Sequence, residues 1–156
     1  MQKQIFSIVR ITFIGLLFMQ PFSLGVFSQS IPQNEPIVLT VILRGIKYNN
    51  TIRVGVFTSE KTFLKEAEAM KNYSLRPNDK QESVKIDITD LPPGEYALAI
   101  YQDINEDNRF NRNFLGIPTE PYGVSNNVKP MFAPPSYEEC RFQFRSSQTK
   151  IINLVN

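Results

Sequence analysis

Short runs in which apolar and polar residues alternate, divided by Gly, Pro and Asn turns, constrain this chain more than any other feature. A period of two places successive side chains on opposite faces of a strand. Residues 37–43 (IVLTVIL) are dense in β-branched side chains and read as a mostly buried strand. In residues 51–58, Ile52, Val54 and Val56 face one way and Arg53, Gly55 and Phe57 the other. Val84, Ile86 and Ile88 alternate with Lys85, Asp87 and Thr89. Residues 90–94 (DLPPG) are a turn, because proline fixes φ and glycine permits the reversal. Residues 95–102 form the strongest strand pattern, with Tyr96, Leu98 and Ile100 on one face and Ala97, Ala99 and Tyr101 on the other. Further strands are predicted at 72–75, 140–144 and 150–155.

Residues 59–70 change period. Ser59 or Thr62 suits an N-cap, and Phe63, Ala67 and Met70 recur at helical spacing, which predicts one short helix or helical turn over an end of the sheet. Many short strands with a single helical pattern define an all-β chain. The expected architecture is an antiparallel β-sandwich, immunoglobulin-like or transthyretin-like, of about seven strands.

The N-terminus belongs to a different kind of segment. Lys3 and Arg10 precede an apolar stretch over 11–19, too short to span a bilayer, and small residues follow near Ser28. Residues 1–28 therefore read as a secretory signal peptide and 29–156 as one domain, exported to the periplasm or beyond and without a transmembrane segment. No cysteine stands near the cleavage site, so lipidation there is not expected. Cleavage removes two of the 17 basic residues and none of the 15 acidic ones, leaving a formally neutral domain. That balance gives no support for nucleic-acid or membrane-surface binding.

The chain has no histidine and one cysteine, Cys140. Ser-His-Asp and Cys-His catalysis are thereby excluded, as are histidine-ligated zinc and copper and any internal disulfide. Cys140 reads as a small buried hydrophobe in a strand. Acid–base chemistry would have to come from Asp103, Glu106, Asp107 and Glu120, and the domain is expected to be non-catalytic.

Residues 103–127 (DINEDNRFNRNFLGIPTEPYGVSNN) are the candidate site. Oxygen-bearing side chains alternate at its start, as in a calcium loop. On that template Asp103, Asn105 and Asp107 take positions one, three and five, the Arg109 carbonyl takes position seven and Asn111 position nine. Phe114 stands where the bidentate glutamate belongs, so Glu106 or Glu120 would have to complete the shell. The alternative is an Asx-rich turn whose side chains bond their own backbone. Asn113, Glu120, Tyr122, Ser125, Asn126 and Asn127, with Arg112, form a second set suited to a small ligand, a glycan or an envelope protein. The same groups would also serve to satisfy the backbone of a long loop. Phe114, Leu115, Ile117, Met131 and Phe132 read as plugs into the core.

From Asp90 to Asn127 the run DLPPGEYALAIYQDINEDNRFNRNFLGIPTEPYGVSNN, followed by FAPPSYEECRF, resembles the bacterial exported family known as domain of unknown function 2141. NFLGIP and YGVSNN carry the resemblance. Asn108 stands at a usual glycine, Asn111 at a usual aspartate and Asp107 at a usual asparagine, so the turn keeps its carboxylate count but redistributes it. The resemblance implies an exported β-sandwich and transfers no catalytic residues.

Overall fold

Among the described residues the chain forms eight strands, most of them on the alternating runs. They are β1 (Leu39–Arg44), β2 (Ile52–Phe57), β3 (Lys71–Leu75), β4 (Ser83–Ile88), β5 (Gly94–Gln102), β6 (Tyr122–Val124), β7 (Phe142–Phe144) and β8 (Gln148–Asn153). Among the described residues they are joined by one α-helix, α1 (Tyr137–Cys140), and two 3-10 turns. The computed structural model describes residues 36–78, 81–129 and 133–155, all within one compact unit, Asn34–Asn156. The leader read at 1–28, Met131 and Phe132 lie outside the described residues. Among the described residues no helix is long and apolar enough to cross a membrane.

The strands make a β-sandwich. One sheet has the order β4-β1-β8, with β1 antiparallel to β4 and parallel to β8. The other runs β3-β2-β5-β6, and β7 joins the start of β5. The inward faces read from the sequence meet between the sheets: Ile52, Val54 and Val56 of β2 and Tyr96, Leu98 and Ile100 of β5 pack with Leu39, Val41, Leu43 and Ile152. Burial of that apolar surface is the main force holding the sandwich together.

The outward face of β2 and β5 is covered as well. Phe57, Ala97 and Val124 pack with Phe63, Tyr137 and Cys140 in a second cluster. Phe63 stands edge-on to Phe57 and Tyr137, with ring centroids 5.5 and 6.0 Å apart. This outer layer departs from the sequence reading in three ways. Residues 59–70 make a helical turn and not the short helix: Leu64 adopts φ +60°, which breaks the turn begun at Ser59, and a 3-10 turn, Glu66–Glu68, follows. Of the three residues at helical spacing, Phe63 is buried whereas Ala67 and Met70 are exposed. The α-helix lies instead at Tyr137–Cys140, so Cys140 is helical and not in a strand. A reciprocal capping box starts that helix: the Ser136 hydroxyl accepts from the Glu139 N–H, and the Glu139 carboxylate accepts from the Ser136 N–H.

The core plugs are the third departure. Phe114 is 94% exposed, Leu115 68% and Ile117 54%. They project from a tight hairpin and pack into neither cluster.

Candidate functional site

The acidic turn is built around Asp103, which is fully buried at the end of β5. One of its carboxylate oxygens accepts the Asp107 N–H at 3.1 Å. The other accepts the Asn108 N–H at 3.0 Å and the Arg53 Nε–H at 2.9 Å. Asn108 sits at φ +65°, a left-handed conformation that Asn adopts more readily than most residues. Arg53 also reaches the Asn108 carboxamide, and the bond to Asp103 holds its guanidinium above its ordinary pKa.

The remaining oxygens of the turn are used in the same way. Asn105 Oδ1 accepts from the Asp107 N–H, and Asp107 accepts from the Arg109 N–H and from the Asn105 and Asn111 amides. Those bonds, led by the one from Asn111, hold the Asp107 carboxyl below the usual range. Glu120 is buried and bridges the loop, accepting the Ile104 N–H at 2.9 Å and the Asn111 N–H at 3.0 Å. Burial pushes its pKa up, and the charges of Asp103 and Asp107 add to that. Glu106 accepts from Thr51 and pairs with Arg76. Asn111 Oδ1 is buried without a hydrogen-bond partner. Among the described residues no group of three His, Cys, Asp or Glu side chains is placed to hold a metal ion.

The second set of predicted residues is dispersed. Asn113 folds its own hairpin, its Oδ1 accepting from the N–H groups of Leu115 and Ile117, both at 3.0 Å. Ser125 is fully buried; its hydroxyl accepts the Leu98 N–H at 2.9 Å and donates to the Cys140 carbonyl at 2.5 Å. Asn126 and Asn127 both have positive φ. Asn126 donates to the carbonyls of Glu139 and Arg141, and Asn127 clamps β8 through Ile151 and Asn153. The Ser-Asn-Asn run thus ties β5, α1 and β8 together. Cys140 lies beside it, buried, with its thiol pushed up to about 12 by burial.

Tyr122 belongs to a different arrangement. Its ring lies 5.6 Å from Phe110, which lies 5.5 Å from Tyr101, so three aromatic rings stand in series on the outer face of β5 and β6. The Arg112 guanidinium rests over the Phe110 ring at 5.2 Å. The Tyr101 hydroxyl donates to Glu66 at 2.6 Å. Burial and that carboxylate raise the Tyr101 pKa, so the phenol stays protonated. Small residues, Gly55 and Ala99, leave a cleft of about 60 Å³ beside these rings. Two wider clefts of about 530 and 600 Å³ share Leu64, Phe110 and Arg112 with it and reach Pro134 and Pro135, and the first is also lined by Leu115, Gly116, Ile117 and Pro118. Sequence reasoning found Tyr122 and Arg112 here but missed Arg53, Glu66, Tyr101 and Phe110. The available signal was the outward face of the 95–102 strand, which ends in an aromatic where a solvated face would end in a polar residue.

Fold and groove together define a β-sandwich domain with an aromatic cleft on the outer face of one sheet. A family described as an uncharacterized protein conserved in bacteria, DUF2141, matches residues 42–152, and the chain belongs to that family. No curated protein and no solved structure matches it.

Proposed function

We propose that this chain is a non-catalytic binding module exported to the bacterial envelope, and that its groove takes the flat face of a sugar ring in a glycan. The observation that carries this reading is the series Tyr101, Phe110 and Tyr122, which lines a cleft left open by the chain's own side chains. Aromatic walls with a few placed polar groups are the usual composition of a small-ligand site. Arg112 and Glu66 supply those polar groups. The wider clefts fall within the roughly 300–1,000 Å³ typical of such sites. A non-catalytic role fits the chemistry on offer: Ser125 is committed to two backbone groups, and the Cys140 thiol is buried and hard to ionise.

A glycan array probed with the folded domain, followed by calorimetry on the best saccharide, tests this reading. Saturable binding that Phe110→Ala weakens at least about tenfold supports it. Absence of any glycan signal, with tight capture of a peptide or an envelope protein instead, overturns it. Export is tested separately by fractionating cells that express the tagged full chain.

For the acidic turn we propose a structural role. Arg53 brings to Asp103 the positive charge that calcium would otherwise supply, and backbone N–H groups take most of the other oxygens. Thermal melting with millimolar calcium and with chelator should coincide. A rise in melting temperature with calcium, lost in Asp107→Ala, would establish the metal site instead.

A further inference from the structure

We propose that the hairpin at residues 112–118 is an anchor that dips its apolar tip into an anionic lipid surface. Arg112 and Pro118 face each other across a bridge, and Phe114, Leu115, Gly116 and Ile117 form the tip between them. No charged residue lies between Arg112 and Glu120. Phe114 is almost wholly in solvent, and Leu115 and Ile117 are more than half exposed. Isolated apolar side chains on a surface need no explanation, but three on one preformed tip do.

The backbone of the tip favours lipid. A segment entering hydrocarbon must satisfy its polar backbone groups internally. The Asn113 N–H donates to the Ile117 carbonyl and the Gly116 N–H to the Asn113 carbonyl, each at 2.9 Å. The Leu115 and Ile117 N–H groups both donate to the Asn113 side chain. Four N–H groups are thus closed within the hairpin before it meets any partner. Gly116 supports the shape with φ +79°, and nothing lies within 4 Å of where its Cβ would stand. The same bonds hold the tip away from both core clusters, so the apolar side chains stay outward.

Charge favours an anionic surface. Arg109 and Arg112 are exposed on the same loop, and neither makes an ion pair among the described residues. Of the acidic side chains nearest in sequence, Glu106 is paired with Arg76 and Glu120 is buried; Asp107 is exposed and its charge acts on Arg109, which leaves Arg112 as the basic group beside the tip. Basic groups beside an apolar insertion favour anionic headgroups. The inference does not rest on the glycan reading: Leu115 and Ile117 also border the 530 Å³ cleft, but the lipid would take the solvent-exposed surface that they present together with Phe114.

The chain has no tryptophan, so Phe114→Trp places a single reporter at the tip. Vesicles of phosphatidylglycerol and phosphatidylethanolamine should shift its emission to the blue, and bromine on the acyl chains should quench it. Phosphatidylcholine vesicles should do so weakly. The triple variant Phe114→Ser, Leu115→Ser, Ile117→Ser should melt like wild type and no longer co-sediment with anionic vesicles. Unshifted emission with anionic vesicles, or undiminished co-sedimentation of the triple variant, overturns the proposal. A blue shift that grows with protein concentration without vesicles also overturns it, in favour of contact between copies.

Discussion

The acidic turn and the aromatic groove share one loop and use their side chains in opposite ways. In the turn, Asp103, Asp107 and Glu120 give their oxygens to backbone N–H groups, and Arg53 neutralises the buried Asp103. In the groove, Phe110 stands between Tyr101 and Tyr122 with Arg112 over its ring, and these side chains line an open cleft. The turn is the frame and the groove is what it frames: Glu120 fixes Ile104 and Asn111 on either side of Phe110. A dense run of polar residues therefore signals a demanding backbone as readily as a binding site.

The sharpest way to break this comparison is Asp103→Ala. It strips three hydrogen bonds and leaves Arg53 without its buried partner. Removing one member of a buried pair is strongly destabilising, and a loss of about 3 kcal/mol in urea denaturation is expected. Asp103→Asn keeps one acceptor oxygen and should fall between the two. A negligible effect would mean that the turn is not a frame.

Ser125→Ala should cost about 2 kcal/mol, because it leaves the buried Leu98 N–H and Cys140 carbonyl without their shared partner. The same urea titration measures it. If Ser125 were a ligand contact instead, stability would hold and only binding would fall.

How far the sequence reveals this division depends on the residue. The two-sided alternation of β2 and β5 is visible because both faces are packed, and its inward set is the set that fills the core. β6 is not visible: Tyr122–Val124 is too short to show a period, and its pairing with β5 is a long-range event. Residues 59–70 mislead because Leu64 takes a left-handed φ that its residue type does not announce. The capping box at Ser136 and Glu139 is legible in the Ser-x-x-Glu spacing, yet flanking prolines make the region look like loop. At the site, the acidic residues draw attention by type. Phe110 reads as one more aromatic until the fold stacks it between Tyr101 and Tyr122. The hairpin apolars fail for a related reason: hydrophobicity predicts burial, and the Asn113 bonds that hold them outward are local geometry that no periodicity reports.

Phe110→Ala should cost about 1 kcal/mol in the same titration, the usual scale of an aromatic pairing at a half-buried site. Saccharide binding should suffer more than stability. A stability loss as large as that of Asp103→Ala would place Phe110 in the frame.

A smaller effect separates the carboxylates by pH. Glu120 is pushed up by burial, so between the ordinary carboxylate range and its raised value the folded chain keeps a proton that the unfolded chain has lost. Its contribution is full at low pH and lost as pH rises through that window. Asp107 and Glu106 are held low, by Asn111 and Arg76 first, and work the other way. Their stabilisation is present above the ordinary range and lost as pH falls through their depressed values. Glu120→Gln should therefore remove the decline on the rising side and leave the acid-side loss, read from melting temperature against pH.

The smallest expected effect is on the hairpin. Phe114→Ser should change stability by about 0.5 kcal/mol or less, since the ring packs in neither core cluster. Asn113→Ala is the informative companion, because it frees the Leu115 and Ile117 N–H groups together while leaving every apolar side chain in place. If the tip is held outward by those bonds, Asn113→Ala should loosen it and raise amide exchange at Leu115 and Ile117. Phe114→Ser should leave that exchange unchanged. Equal exchange in wild type and Asn113→Ala would show that the outward hairpin owes nothing to its own hydrogen bonds. The contrast between a loop that spends its polar groups on backbone and one that displays its apolar groups would then fail at the point where the two meet.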